Sequence, residues 1–135
     1  MDNRIKITEI PTDKSGLFYY GGLAYSNSVK VDNLLIKLVN YQESSTRYLR
    51  HNEKVRTYLF EILNDDVDPY YLPYLHIGKK IIEYQRKSSD HKTIFYRDVQ
   101  NSPMGTVFRV SGIIDSYVDP RHNPHIWRVI KHERV

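Results

Sequence analysis

The stretch Thr46–Asn64, TRYLRHNEKVRTYLFEILN, decides the fold class that the sequence predicts. At 100° per residue, one side of this stretch carries the apolar and aromatic residues Tyr48, Val55, Leu59, Ile62 and Leu63. The other side carries the basic residues Arg47, Arg50, His51 and Lys54. The spacing therefore predicts a helix with one buried face and one cationic face, which ends before Pro69 because proline disfavours helix in the residue preceding it.

A further helix is expected immediately before this one. Asp32 is a favourable N-cap residue, and one buried helical face is indicated by the spacing of Leu34, Leu35, Leu38 and Val39. Ser44, Ser45 and Thr46 favour capping over continuation of a helix. One or two central helices are therefore predicted over residues 32–64.

Strands are predicted on both sides of these helices. Arg4–Thr8 alternates polar and apolar residues, which is typical of a half-buried strand, and a second extended stretch is expected over 17–31. Later in the chain, residues 79–87 and 92–99 flank a four-residue turn and are predicted to form a hairpin. In that hairpin Tyr84, Phe95 and Arg97 would share a face.

A second hairpin is predicted to join residues 106–118 to residues 125–132 through a stiff loop that contains two prolines. The simplest register places Ile113 opposite Ile130 and Asp115 opposite Arg128. Gly112 is expected to mark a β-bulge, because strict alternation fails on both sides of it. Strands, then helices, then four strands predict an α+β fold with a mostly antiparallel sheet.

The composition limits the class of protein. A chain of 135 residues is expected to form a single domain. It has no cysteine, which excludes disulfides, cysteine-ligated metal and a thiol nucleophile. Twelve tyrosines beside a single alanine indicate an AT-rich gene, as is common in phages, viruses and mobile elements. No membrane span is expected, and the protein is predicted to act in the cytoplasm, that of the host cell if it is viral.

The net charge of +4 is unevenly placed, since residues 69–135 alone carry +5. Basic faces attract phosphate backbones, and exposed aromatic residues can stack on bases. The leading hypothesis is therefore a small non-enzymatic protein that binds nucleic acid or a nucleoprotein through a basic helix face and a basic sheet face. The predicted contact residues are Arg47, Arg50, His51, Lys54, Lys80, Tyr84, Arg86 and Arg97. A solvated helix face, and a core pair of Tyr84 with Phe95, remain the competing structural interpretations.

Local clusters of tyrosine support an alternative function. A core cannot easily accommodate them because each hydroxyl needs a partner, and tyrosine is enriched at protein interfaces. The predicted interface residues are Tyr19, Tyr20, Tyr70, Tyr71 and Tyr74. The segment from Gly105 to Asp115 with the closing strand, about a fifth of the chain, resembles the end of phage head–tail joining proteins. The alternative is a protein-binding module, either a virion component or an inhibitor of a host factor, with self-association as an accompanying prediction.

Catalytic patterns are weak in this sequence. Asp119, His122 and His125 form a candidate metal-binding loop, but His125 and His132 would lie on opposite faces of a strand. Glu83, Asp98 and Asp115 are the carboxylates that a magnesium-dependent nuclease or hydrolase could use, which is the weakest alternative. Phosphate-binding glycine loops and a G-x-S-x-G nucleophile turn are missing from the sequence. No catalytic residue, metal ligand or cofactor is therefore predicted.

Overall fold

The computed structural model of the protein describes residues 4–9, 28–45, 54–86, 94–115, 121 and 123–135. These residues form one sheet and a single α-helix, with a short 3-10 helix at Pro69–Tyr71. The elements in chain order are β1 (Lys6–Glu9), β2 (Ser28–Ser45), β3 (Lys54–Ile62), β4 (Lys80–Arg86), α1 (Ile94–Gln100), β5 (Val107–Asp115) and β6 (His125–Arg134). The described structure is mostly β, so the predicted α+β fold with central helices is wrong.

The two predicted central helices are the antiparallel strands β2 and β3. Tyr58, Phe60 and Ile62 of β3 are buried, whereas the residues between them, such as Leu59 and Glu61, are only partly buried. This is a period of two. Because Leu59 is apolar although it lies on the less buried side, the same residues also fit a helical period. The aromatic and β-branched residues of this stretch favour a strand, but the prediction followed the helical spacing instead.

Strand β2 is long, and a bulge interrupts its pairing with β5. Asn33 has a φ of 68°, and the pairing register shifts between Val31 and Leu34. Asn64 stabilises this bulge because its side chain accepts a hydrogen bond from the Leu35 amide at 2.9 Å and donates one to the Asn33 carbonyl at 2.9 Å. Asparagine tolerates the left-handed conformation better than most residues. Residues 28–37 of β2 pair with β5, and residues 36–45 pair with β3.

The sheet closes on itself. Its order is β1-β2-β3-β4-β6-β5, and β5 pairs back onto β2. All of these pairs are antiparallel except β4 with β6, which are parallel and joined by only two residue pairs. A three-stranded meander, a helix, and a final hairpin whose last strand lies parallel to the third strand give the connectivity of the OB-fold. The short strand β1 is added at the edge of β2.

The core fills the closed sheet, and we call the side of the strands that faces it the inner face. Its fully buried large residues include Leu34, Ile36, Leu38, Phe60, Ile62, Ile81 and Phe108. Helix α1 covers this core with Phe95, whose ring lies 5.5 Å from that of Phe108 and 6.2 Å from that of Phe60. Ile5, which belongs to the predicted N-terminal strand, is also buried in this cluster, and the observed strand β1 begins one residue later, at Lys6.

The first predicted hairpin is half wrong. Residues 80–86 form the strand β4 as expected, but Ile94–Gln100, expected to be its partner strand, is helix α1. Phe95, Tyr96 and Val99 are the buried residues of α1, and they have the i, i+1, i+4 spacing of one helical face. Their aromatic and β-branched side chains favoured a strand in the sequence, but packing on the core stabilises the helix.

The second predicted hairpin is confirmed by the pairing of β5 with β6, although its register is wrong. Ile113 lies opposite Arg128, and the register shifts next to Gly112 and again after Ile113. The expected bulge at Gly112 is therefore present. A Cβ atom at this position would overlap the backbone oxygen of Arg128, which explains the glycine as a point of close approach between two strands.

Candidate nucleic-acid interface

Most of the predicted basic helix face lies outside the described residues. Lys54 is the first residue of β3, while Arg47, Arg50 and His51 lie outside the described residues, as do Tyr19 and Tyr20. In sequence, the three basic residues belong to the connection between β2 and β3.

The predicted basic sheet face is partly reproduced by β4. Its inner positions hold Ile81 and Glu83, and both residues are buried. The alternate positions, which form the outer face of the strand, are those of Lys80, Ile82, Tyr84 and Arg86. Backbone register therefore places three of the predicted contact residues, Lys80, Tyr84 and Arg86, on one face of β4.

Two residues expected on this face lie elsewhere, because residues 94–100 form a helix. Phe95 lies on helix α1 and packs in the core against Phe60 and Phe108, so the competing interpretation of a cross-strand core pair with Tyr84 is wrong, although Phe95 is buried. Arg97 is exposed on α1.

A row of three charged residues crosses the outer face of the sheet. Lys37 of β2 lies directly opposite Glu61 of β3, which lies directly opposite Lys80 of β4. The Lys80 ammonium is 2.9 Å from one carboxylate oxygen of Glu61, and the Lys37 ammonium is 3.6 Å from the other. The hydrogen bond from Lys80 and the positive charges of both lysines lower the pKa of Glu61. The row thus carries a net positive charge and keeps its carboxylate ionised.

The next row along the same face holds an apolar pair on β3 and β4, flanked by Asn40 of β2 and His125 of β6. Leu59 lies directly opposite Ile82, and both of these apolar side chains are only partly buried. Thr57 lies opposite Tyr84 one row further, and Val55 opposite Arg86 after that. By register, the outer face of β3 and β4 therefore places the apolar Leu59–Ile82 pair between cationic positions at its two ends. We refer to Lys37, Thr57, Leu59, Glu61, Lys80, Ile82 and the positions of Tyr84 and Arg86 as the outer β3–β4 face.

The sequence revealed only part of this face. Lys80, Tyr84 and Arg86 were identified from their alternation, whereas Lys37, Leu59 and Glu61 were assigned to helices. The row of charges depends on the register of three strands, which no local spacing reports.

A second polar cluster lies at the end of β2 and β3 next to α1. Tyr41 donates a hydrogen bond to Glu43 at 2.8 Å, and Arg56 lies 3.8 Å from Glu43 and donates to the Tyr96 hydroxyl at 3.1 Å. Burial raises the pKa of the neighbouring Tyr58 to about 12. These contacts join α1 to the strands, and each group has a partner within the protein.

The remaining predicted carboxylate ligands are not gathered. Asp98 lies on α1, where its carboxylate accepts a hydrogen bond from Arg134 Nε at 2.7 Å and lies 2.9 Å from His132 Nε2. Burial raises the pKa of Asp98, but these hydrogen bonds outweigh burial, so the pKa lies below its ordinary value of 3.8. Glu83 is buried on β4. Within the described part of the chain, no three acidic or histidine residues are grouped as metal ligands.

The candidate metal loop lies mostly outside the described residues. Asp119 and His122 are not described, whereas His125 is the first residue of β6.

The tyrosine-rich segment lies in the connection between β3 and β4. Tyr70 is 62% exposed and stacks edge-to-face on Tyr71 at 5.0 Å between ring centres. Tyr71 and Tyr74 pack partly against the core. Of the three described residues in the predicted protein interface, Tyr70 is therefore the one presented to solvent.

Comparison of the chain with protein-family models, curated proteins and solved structures finds no match. Among the described residues, none of the helices has the length and apolar character needed to span a membrane.

Proposed function

We propose that the protein binds nucleic acid, alone or in a nucleoprotein, through the outer β3–β4 face. The observation that carries this proposal is the row arrangement of that face, with cationic positions at its ends and the Leu59–Ile82 pair between them. Phosphates are bound by lysine and arginine, and unstacked bases need apolar or aromatic surface. This combination favours an unpaired strand, which offers both kinds of group at once.

The connectivity supports the same face by analogy. OB-folds bind oligonucleotides and oligosaccharides on their second and third strands and on the adjoining loops. Those strands are β3 and β4 here, and the first adjoining connection, residues 46–53, carries Arg47, Arg50 and His51. The positive charge of the chain favours a polyanion over a neutral sugar. The AT-rich composition supports a phage, viral or mobile-element origin, with the host cytoplasm as the place of action.

The test is fluorescence anisotropy of labelled single-stranded and duplex oligonucleotides at 50 and 200 mM salt. If three phosphates are contacted, single-strand affinity should fall roughly 20-fold between these salt concentrations, because counterions are released from the backbone. A folded protein that binds neither oligonucleotide at 50 mM salt would refute the proposal.

A charge-matched pair of variants locates the binding face. Lys80→Glu combined with Arg86→Glu should weaken binding by at least about tenfold. Lys30→Glu combined with Lys131→Glu changes the net charge equally at positions away from β3 and β4, and should have a much smaller effect. Equal losses in the two variants would indicate general attraction without a defined face.

Exposed Tyr70 favours a second candidate function, the docking of a protein partner. Ile77, in the same connection, is 57% exposed, and three exposed aspartates, Asp65, Asp66 and Asp68, lie near it in sequence. Such a surface suits a partner segment with basic and apolar residues. Pull-down with the wild-type protein and with Tyr70→Ser checks this function, which predicts capture of a partner by the wild-type protein only.

A further inference from the structure

We propose that Glu61 occupies, in the free protein, the place that a phosphate of the bound strand takes between Lys37 and Lys80. The inference rests on the proposed function and concerns how the outer β3–β4 face controls its own affinity. It assigns Glu61 the role of a built-in competitor for the nucleic-acid backbone.

The geometry carries the first step. Lys37, Glu61 and Lys80 lie at directly opposite positions on three adjacent strands, so the carboxylate stands between two ammonium groups. Each ammonium approaches a different oxygen, Lys80 at 2.9 Å from Oε1 and Lys37 at 3.6 Å from Oε2. A phosphodiester also carries one negative charge on two terminal oxygens. It can therefore form the same two contacts, since lysine binds phosphate as a point charge.

The second step is that the fold does not require this carboxylate. The strands that it connects are already joined by their backbone ladders. All three side chains are more than a quarter exposed, and exposed ion pairs contribute little to stability. An ion pair at this exposed position adds little to the stability of the sheet. The charge of Glu61, in contrast, acts directly on any phosphate that approaches the two lysines.

The third step concerns the cost of binding. A phosphate that reaches both lysines must displace the carboxylate or lie beside it, and at about 5 Å in water the repulsion of two such charges is worth roughly a fivefold change in affinity. Glu61 would thus weaken binding to any nucleic acid. It would also disfavour ligands whose backbone phosphates cannot approach both lysines closely enough to compete with the carboxylate.

The test compares Glu61→Gln with the wild-type protein, using a labelled oligothymidine of about 15 nucleotides, a length that covers the site size of one OB-fold. Glutamine keeps the size of the side chain and an acceptor for Lys80 but removes the charge. We expect about fivefold tighter binding at 50 mM salt. The dependence on salt should become steeper by about 0.7 in the logarithmic slope, because one more lysine charge is available to neutralise phosphate.

Glu133→Gln is the matched control. Glu133 is also ion-paired, 3.2 Å from Arg109, and it lies near the end of β6 that is remote from the pairing of β6 with β4. The substitution changes the net charge by the same amount and should leave affinity nearly unchanged. Lys80→Gln should also reduce affinity more in the Glu61→Gln protein than in the wild-type protein, because Lys80 is no longer partly neutralised.

The outcomes separate the inference from the proposed function. Tighter binding by Glu61→Gln alone supports the inference. Equal tightening by Glu133→Gln, or unchanged or weaker binding by Glu61→Gln when the wild-type protein binds, overturns the inference and leaves the proposed function standing. Failure of both the wild-type protein and Glu61→Gln to bind overturns the two together.

Discussion

Two carboxylates in this protein each stand between two basic groups, and they have different consequences. Asp98 connects helix α1 to His132 and Arg134 of β6, next to the buried ring of Phe95. Glu61 connects Lys37 and Lys80 on strands that are already paired. The first cluster attaches helix α1 to β6, whereas the second lies on strands that their backbone ladders already join. We therefore expect similar charges to serve stability in one place and, under the proposed function, affinity in the other.

The largest effect is expected where the attached helix enters the core. Phe95→Ala should lower the free energy of unfolding by about 3–5 kcal/mol, because it removes a buried ring that contacts both Phe60 and Phe108. Urea denaturation followed by circular dichroism measures this loss. Ile94→Ala, one residue away on α1 and 79% exposed, is the control and should cost little. Similar losses in both variants would mean that Phe95 does not hold the helix on the core.

The Asp98 cluster is expected to have a smaller effect on stability. Asp98→Ala should lower the free energy of unfolding by about 1–2 kcal/mol, because it leaves His132 and Arg134 without their shared acceptor and Asp98 is partly exposed. The same denaturation measurement applies, with Glu133→Gln on the neighbouring strand position as the control. A loss no larger than that of the control would contradict the role of this cluster in attaching α1.

This contribution should depend on pH in a defined direction. The pKa of Asp98 is lower in the folded protein than its ordinary value of 3.8, so the folded state favours the ionised carboxylate. Its stabilising effect is complete above the unfolded pKa and is lost as the pH falls through the folded pKa. The difference in unfolding free energy between wild type and Asp98→Ala should therefore be constant from pH 7 to about pH 5 and shrink below about pH 4. A difference that persists undiminished at pH 2 would exclude ionisation of Asp98 as the cause.

The smallest effect on stability is expected at the other carboxylate. Glu61→Gln should leave the melting temperature unchanged within the error of thermal denaturation, because the β2–β3–β4 ladders already join the strands that the lysines bridge. Asp98→Asn, the corresponding amide substitution, should lower the melting temperature measurably. Equal shifts in the two variants would remove the distinction between a structural and a functional carboxylate.

Local patterns in the sequence predicted some elements correctly, but in others they confused strands with helices. The β5–β6 hairpin was identified because its strands and its proline-containing loop are close in sequence, but bulges at Ser111–Gly112 and Ile113–Ile114 moved its register. The i, i+1, i+4 spacing occurs both in the true helix, at Phe95, Tyr96 and Val99, and in strand β2, at Leu34, Leu35 and Leu38. A short apolar window fits both periods, and only the partners across the core distinguish them.

The candidate site shows the same division. Alternation along β4 placed Lys80, Tyr84 and Arg86 on one face, and this holds by register. Lys37 and Glu61 could not be added, because their row depends on pairings between strands that the sequence assigned to helices. Arg97 was included because residues 92–99 were interpreted as a strand. The positions on one face of a single strand could be predicted from the sequence, whereas the row of charged residues that crosses three strands could not.

The double pairing of β2 has a consequence for the order of events when the chain is made. β2, β3 and β4 follow one another, so this meander can form from neighbouring segments as soon as it leaves the ribosome. The other side of β2, Ser28–Lys37, must wait for Val107–Asp115, which is synthesised much later. Contacts between such distant segments slow folding, and an unpaired strand edge is open to other chains until its partner arrives. Closure of the sheet is therefore expected late, and the nascent meander is the stage at which this protein most needs protection from aggregation.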